Sequence, residues 1–252
     1  FNNNFERVFY IEGDINRPLM EVTVDGQRIL NGDIVSPTPT ISITGVDDNN
    51  YFPINSPSFF NITLQRPDST SPTIINEFSE GFNFYPATIQ DPKARIDYSP
   101  SELPDGFYTL NIQLNDASGN AAGTGAYKAS FEVIGKSTIT NFYPYPNPFS
   151  SKMNFVFTLT GDEVPDDIVI QILTVSGKVV REITKNELGN IKIGHNVSDF
   201  TWDGTDTYGN KLANGVYLYR VKTQIENKAI ELRNTTADQA FKEGFGKIYI
   251  LR

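Results

Sequence analysis

The 252 residues suffice for one large or two modest domains, and their 18 Phe, 12 Tyr, 15 Pro and 19 Gly favour short strands joined by turns. A formal net charge of −9 without a Lys/Arg cluster argues against nucleic-acid binding, because a phosphate backbone needs a basic surface. The absence of cysteine excludes disulfides, thiolate metal sites and cysteine nucleophiles within these residues. We therefore predict an all-β chain of two consecutive immunoglobulin-like β-sandwich domains.

The first half of the chain is predicted to be a linker followed by one sandwich. Residues 1–18 are expected to be a linker or the end of a preceding domain, and 8–11 are strand-like. Residues 19–137 alternate apolar and polar side chains between turn signals, as a sandwich requires. We expect strands at 20–24, 40–45, 59–64, 94–98, 107–114 and 129–134. Because the chain begins at Phe1 rather than Met, we expect it to be a piece of a longer protein.

Residues 138–252 are predicted to form the second sandwich. Its first segment carries Pro144, Pro146 and Pro148 at alternate positions, and prolines that cannot donate to a β-ladder favour a sheet edge. The most secure hairpin is 169–183, with a tight turn at its tip. Residues 185–196 form a polar excursion. Further strands are expected at 153–159, 230–233 and 247–251, and the only helical periodicity is at 236–243.

The segment 201–221 organises the second half, since turn residues pass directly into an alternating strand. Asp203-Gly204 and Gly209-Asn210 supply positions that accept positive φ, and Asn214-Gly215 is typical of a type I′ hairpin turn. β-branched and aromatic residues then predict a strand at 216–221. The single tryptophan, Trp202, is interpreted as a core side chain against which the segment folds.

Catalytic chemistry has little support in this sequence. His195 is the only histidine, and its polar surroundings favour a solvated loop residue over a general base. No Ser/His/Asp arrangement is evident. The adjacent acids are predicted to lie in turns, where they would not face each other across a cleft as in glycosidases; they are Asp47-Asp48, Asp162-Glu163 and Asp166-Asp167. We predict that the chain is not an enzyme and binds no cofactor.

Calcium is the one metal that the acidic loops suit, because Ca²⁺ prefers oxygen ligands. Asp203, Asp206 and Asn210 are one candidate set, and residues 47–50 are another. Neither follows the spacing of a known Ca²⁺ loop. Turn capping by the Asp and Asn side chains is the alternative interpretation.

Several motifs of the second half stand in the order seen in one family. They are Tyr145-Pro146-Asn147-Pro148-Phe149, the hairpin 169–183 with Ser176-Gly177, Trp202-Asp203-Gly204-Thr205-Asp206, Gly209-Asn210, Leu212-Ala213-Asn214-Gly215-Val216-Tyr217 and Gly246-Lys247-Ile248-Tyr249-Ile250-Leu251-Arg252. In this order they resemble the C-terminal sorting domain of the type IX secretion system of Bacteroidetes, which is similar to the immunoglobulin-like domain of the flagellar hook-capping protein. With an Ig-like domain upstream, the chain also resembles the C-terminal region of surface proteins such as gingipain-type cysteine peptidases, whose catalytic domain would precede Phe1.

The resemblance implies a role in export through the periplasm to the cell surface or the medium. Its implied partners are the outer-membrane shuttle, translocon and sortase of that system, together with the cargo domains of the parent protein. The signal would lie in the last strand and its neighbour, at Val216, Tyr217, Lys247, Ile248, Tyr249, Ile250, Leu251 and Arg252. A terminal strand with one open edge would be read by strand addition.

Two points stay open in this interpretation. The connection 224–243 is longer than the family's, which leaves the pairing of the last strand undecided. The rival function is an adhesive or carbohydrate-binding module, and an exposed row of aromatic side chains on one sheet face would indicate it.

Overall fold

The computed structural model describes residues 6–7, 13–49, 51–225, 228–229 and 244–252. Predicted strands at 8–11 and 230–233 and the helical periodicity at 236–243 lie outside these residues. The strands are β1 (Leu19–Val24), β2 (Asp33–Val35), β3 (Ile41–Val46), β4 (Phe60–Gln65), β5 (Thr73–Ile75), β6 (Phe82–Tyr85), β7 (Lys93–Tyr98), β8 (Gly106–Leu114), β9 (Tyr127–Val133), β10 (Ile139–Tyr145), β11 (Asn154–Leu159), β12 (Asp167–Thr174), β13 (Val179–Thr184), β14 (Gly194–Val197), β15 (Gly215–Ile225), β16 (Lys228–Ala229) and β17 (Gly246–Ile250).

The described strands form four sheets. Sheet A has the order β1-β3-β7-β6 and sheet B the order β2-β9-β8-β4-β5. Sheet C has the order β10-β11-β14, and sheet D has the order β13-β12-β15-β16 with β17 also paired to β15. Neighbouring strands are antiparallel apart from β2 and β9, which run parallel. The all-β prediction is confirmed: the described helical structure is one α-helix, α1 (Lys185–Leu188), and a short 3₁₀ turn.

The chain groups into two compact units, one from 1–29, 40–101 and 108–129, the other from 30–39, 102–107 and 130–252. The predicted domain boundaries, at 18/19 and 137/138, stay predictions. Within the described residues, no helix is long and apolar enough to cross a membrane.

The core of the first unit lies between strands of sheets A and B. Alternation buries one face of each strand, so that Ile43 of β3 and Ile112 of β8 are fully enclosed. The backbone approaches closely at Gly45, where an added Cβ would lie 2.8 Å from Leu114 Cδ2. Aromatic rings fill the space beside it, with Phe60 and Phe84 centroids 6.4 Å apart.

The core of the second unit is an aromatic cluster between sheets C and D. Phe142 of β10 lies 5.4 Å from Phe155 and 5.8 Å from Tyr219 of β15, measured between ring centroids. The Tyr219 hydroxyl donates a 3.0 Å hydrogen bond to the Phe142 carbonyl, so this buried polar group is satisfied. Trp202 is 1% exposed in the same cluster, which confirms its predicted core position.

Several local predictions for the second half are confirmed and two are wrong. The hairpin forms as β12 and β13 with Gly177 at φ +87, and the proline-rich segment forms the edge strand β10. The polar excursion 185–196 instead contains α1 and the start of β14, because Thr184 and Glu187 form a capping box that begins a helical turn. No type I′ turn forms at Asn214-Gly215, since Asn214 does not adopt positive φ.

Candidate functional site

The last strand, β17, lies beside β15 and completes the core of the second unit. The two strands are antiparallel, with Val216 opposite Tyr249 and Tyr217 opposite Ile248. Ile248 and Ile250 are fully buried in the aromatic cluster. Gly246 faces the same side and lies against the Tyr219 ring, where an added Cβ would stand 2.2 Å from Cζ. The strand is therefore a structural member of the sandwich.

The second edge of β17 is covered by the Pro146–Phe149 motif, which corrects the predicted open edge. Asn147 receives a hydrogen bond from the Tyr249 amide at 2.9 Å and donates one to the Lys247 carbonyl at 3.0 Å. The Phe149 amide donates a hydrogen bond to the Tyr249 carbonyl, and the Phe149 carbonyl accepts one from the Leu251 amide. Pro146 and Pro148 flank Asn147 and have no amide hydrogen to offer. Strand addition at β17 would have to displace this segment.

The terminal residue, Arg252, is held by the loop that precedes β15. The Asn214 side chain accepts a bond from the Arg252 amide at 3.1 Å and donates one to the Arg252 carbonyl at 3.0 Å. The guanidinium donates to three backbone carbonyls of the loop, those of Leu212, Asp203 and Gly204, at 2.8, 2.7 and 3.2 Å. Five hydrogen bonds thus fix Arg252.

Gly204 is required where the terminal arginine meets the loop. Its φ is +77, a region that favours glycine, and an added Cβ would stand 2.4 Å from Arg252 Nη2. The neighbouring Trp202 packs under the loop, with its ring 5.6 Å from Phe149, and its Nε1–H donates to the Thr205 carbonyl at 2.9 Å. The motif residues therefore support both the core and the end of the chain.

Asp206, Gly209 and Asn210 form a separate turn. The Asp206 carboxylate accepts bonds from the Asn210 amide, the Asn210 side chain and the Tyr208 amide. The Asn210 backbone hydrogen bond is the largest cause of the lowered pKa of Asp206. Asp203 instead caps its own turn by accepting from Thr205. The two carboxylates therefore cap separate turns, as the alternative interpretation of this candidate calcium set expects.

The predicted recognition residues divide by burial. Tyr217, Ile248 and Ile250 face the core, so a partner cannot reach them in the folded protein. The others are exposed and form what we call the terminal stripe: Val216, Lys247, Tyr249, Leu251 and Arg252. Val216 and Tyr249 are directly paired across the strands, with 39% and 38% of their surfaces exposed, so their side chains share one face.

The remaining polar candidates are dispersed. His195 lies exposed on β14, and not in the predicted loop. Asp162, Glu163, Asp166 and Asp167 are exposed. The described side chains here do not assemble an acid, a base and a nucleophile.

A family match covers the middle of this unit. Residues 146–227 match the FlgD Ig-like domain family. The match begins in the Pro146–Phe149 motif, takes in Trp202, Gly204, Asn214 and all of β15, and ends before β17. It spans about a third of the chain, so it assigns an Ig-like fold to this segment. No curated protein matches the chain.

Three solved structures show distant similarity. Dimeric latent PorU from Porphyromonas gingivalis matches with 20% identity and a TM-score of 0.34, over 94% of this chain and 20% of that chain. SGBP-B of the Bacteroides ovatus mixed-linkage glucan utilization locus, in complex with a mixed-linkage heptasaccharide, matches with 14% identity and a TM-score of 0.28. The match covers 94% of this chain and 60% of that chain. Fibronectin(III)-like modules of Clostridium thermocellum CbhA match with 14% identity and a TM-score of 0.26, over 91% of this chain and 94% of that chain. The chain spans a fifth of the PorU chain, and similarity at this level does not transfer function.

Proposed function

We propose that this chain is the non-catalytic C-terminal region of a secreted or cell-surface bacterial protein, and that its terminal strand directs export across the outer membrane by the type IX secretion system. The observation that carries the proposal is the convergence of the motif residues on β17. Asn147 and Phe149 cover one edge, while Asn214 and Gly204 hold Arg252. Motif residues that are far apart in sequence thus contact and position one short strand, β17, and the two residues that follow it.

The structure suggests how such a strand acts as a signal. Because β17 is fixed on both edges, the terminal stripe is held in one arrangement, and it loses little conformational freedom when a partner binds. Tyr249 is an amphipathic aromatic of the kind enriched at binding hot spots. Lys247 and Arg252 add positive charge to an otherwise acidic chain. The proposed partners are the shuttle, translocon and sortase of the outer membrane, which would read this stripe and attach the cargo at the surface or release it.

The test is surface display of a reporter fused to the whole chain. In a bacterium with a type IX system, a periplasmic reporter followed by all 252 residues is expected at the surface, and removal of 247–252 is expected to leave it in the periplasm. Because the deletion removes the core residues Ile248 and Ile250, reporter abundance and protease resistance are measured alongside. Equal surface display of the intact and shortened chains, at equal abundance, contradicts the proposal.

One observation favours the rival function, a carbohydrate-binding or adhesive module. Tyr143 and Tyr145 project from the same face of the edge strand β10, with 42% and 67% of their surfaces exposed. Two aromatic rings at this spacing form a short platform on which sugar rings could stack. Glycan binding by the whole chain that is lost when both tyrosines become alanine would favour this candidate.

A further inference from the structure

Three carboxylates of the first unit meet at one end of its strands. Asp14 precedes β1, Asp47 directly follows β3, and Asp116 follows β8. One carboxylate oxygen from each lies within 4.8 Å of the others. The three segments are distant in sequence, so the fold alone brings these acids together.

The cluster is buried, and no ion pair among the described residues compensates its charge. Asp47 and Asp116 are each 3% exposed, and Asp14 is half-buried. None of the ion pairs seen between described residues includes a member of the cluster. These pairs are Arg28–Glu21, Arg95–Asp97 and Arg181–Glu187. Like charges this close disfavour their ionised forms. Burial first, and then the charges of Asp116, Asp14 and Asp48, raise the pKa of Asp47.

Hydrogen bonds position two of the carboxylates, whereas one oxygen of the third has no hydrogen-bond partner among the described residues. Asp116 accepts from the Ser118 and Asn120 amides and from the Asn120 side chain. Asp14 accepts from the Asn16 amide and the Asn49 side chain. Asp47 Oδ2 is buried and has no hydrogen-bond partner among the described residues. An oxygen of this kind is costly unless a ligand satisfies it.

We propose that Asp14, Asp47 and Asp116 form a calcium-binding site. Calcium takes six to eight oxygen ligands at about 2.3–2.6 Å, so two oxygens of one ion can lie about 4.8 Å apart. Three carboxylates without histidine or cysteine are a donor set for a hard cation. The ion neutralises the negative charge of the cluster and is the ligand that Asp47 Oδ2 otherwise lacks. It also ties the segment before β1 to the ends of β3 and β8.

The test is calcium binding by the whole chain after treatment with a chelator. Titration calorimetry with calcium chloride is expected to give one site with a dissociation constant of about 0.1–1 mM, as in extracellular modules. Calcium is expected to raise the melting temperature, and chelator to reverse the rise. D47N and D116N are expected to weaken binding at least about tenfold while remaining folded, because each also removes a repelling charge.

The matched control is D206N, which changes an aspartate that caps its own turn. It is expected to bind calcium as the parent chain does. Terbium luminescence gives a second readout if one variant is unstable. The proposal is overturned if calcium gives neither heat nor a melting shift, if D47N and D116N bind as the parent does, or if magnesium binds equally well.

Discussion

Trp202→Ala is expected to destabilise the second unit by about 3–5 kcal/mol, the cost of deleting a large core aromatic. The side chain is 1% exposed and lies between the Phe149 and Tyr217 rings. Its removal leaves a cavity and deprives the Thr205 carbonyl of its indole donor. Because domains are stable by only about 5–15 kcal/mol, this loss is a large fraction of the total. Urea unfolding followed by circular dichroism measures it.

Trp202→Phe is the matched control for this substitution. It keeps most of the buried volume and loses the indole hydrogen bond, so it is expected to cost clearly less than alanine. Equal stability of Trp202→Ala and the parent chain would show that the ring is not part of a packed core.

Gly246→Ala is expected to cost about 1–3 kcal/mol or more, because a single methyl group would overpack a filled core. The new Cβ would stand 2.2 Å from Tyr219 Cζ. Tyr219 has little room to yield, since its hydroxyl is bonded to the Phe142 carbonyl and its ring lies 5.4 Å from Phe155. We expect β17 to detach first, seen as faster amide hydrogen exchange at Ile248 and Ile250.

Gly125→Ala provides the control, because an added Cβ there meets nothing within 4 Å and its φ is not in the region reserved for glycine. It is expected to leave stability unchanged or to raise it slightly through the unfolded state. If both substitutions behave alike, the close contact between Gly246 and Tyr219 does not exist in solution.

The strands were predictable because their signal is local. Alternation in 107–114 and 169–183 follows from the side-chain period of two, and the prolines of 144–148 mark an edge whatever their neighbours are. The core position of Trp202 was equally predictable, because a single large aromatic side chain beside a turn is most often buried in the core. The short strands β5 and β6 were missed, since three or four residues carry too little pattern.

The candidate site was only partly predictable, because its geometry depends on long-range contacts. The motif residues were found, but periodicity does not show that Asn147 bonds a strand about a hundred residues later. The predicted open edge failed for that reason. The calcium candidate at 47–50 contained Asp47, while Asp14 and Asp116 were missed because only the fold brings them near. Asn50 lies outside the described residues.

The central claim is that the terminal stripe of a folded sandwich is the export signal. Its most direct test is the surface fraction of a reporter fused to the whole chain carrying Tyr249→Ser and Leu251→Ser, against Tyr208→Ser as an exposed control in the 206–210 turn. Both variants should fold like the parent, since these side chains face outward. The stripe variant is predicted to lower surface display at least about tenfold, as expected for loss of a binding hot spot. Undiminished display by that variant would contradict the account.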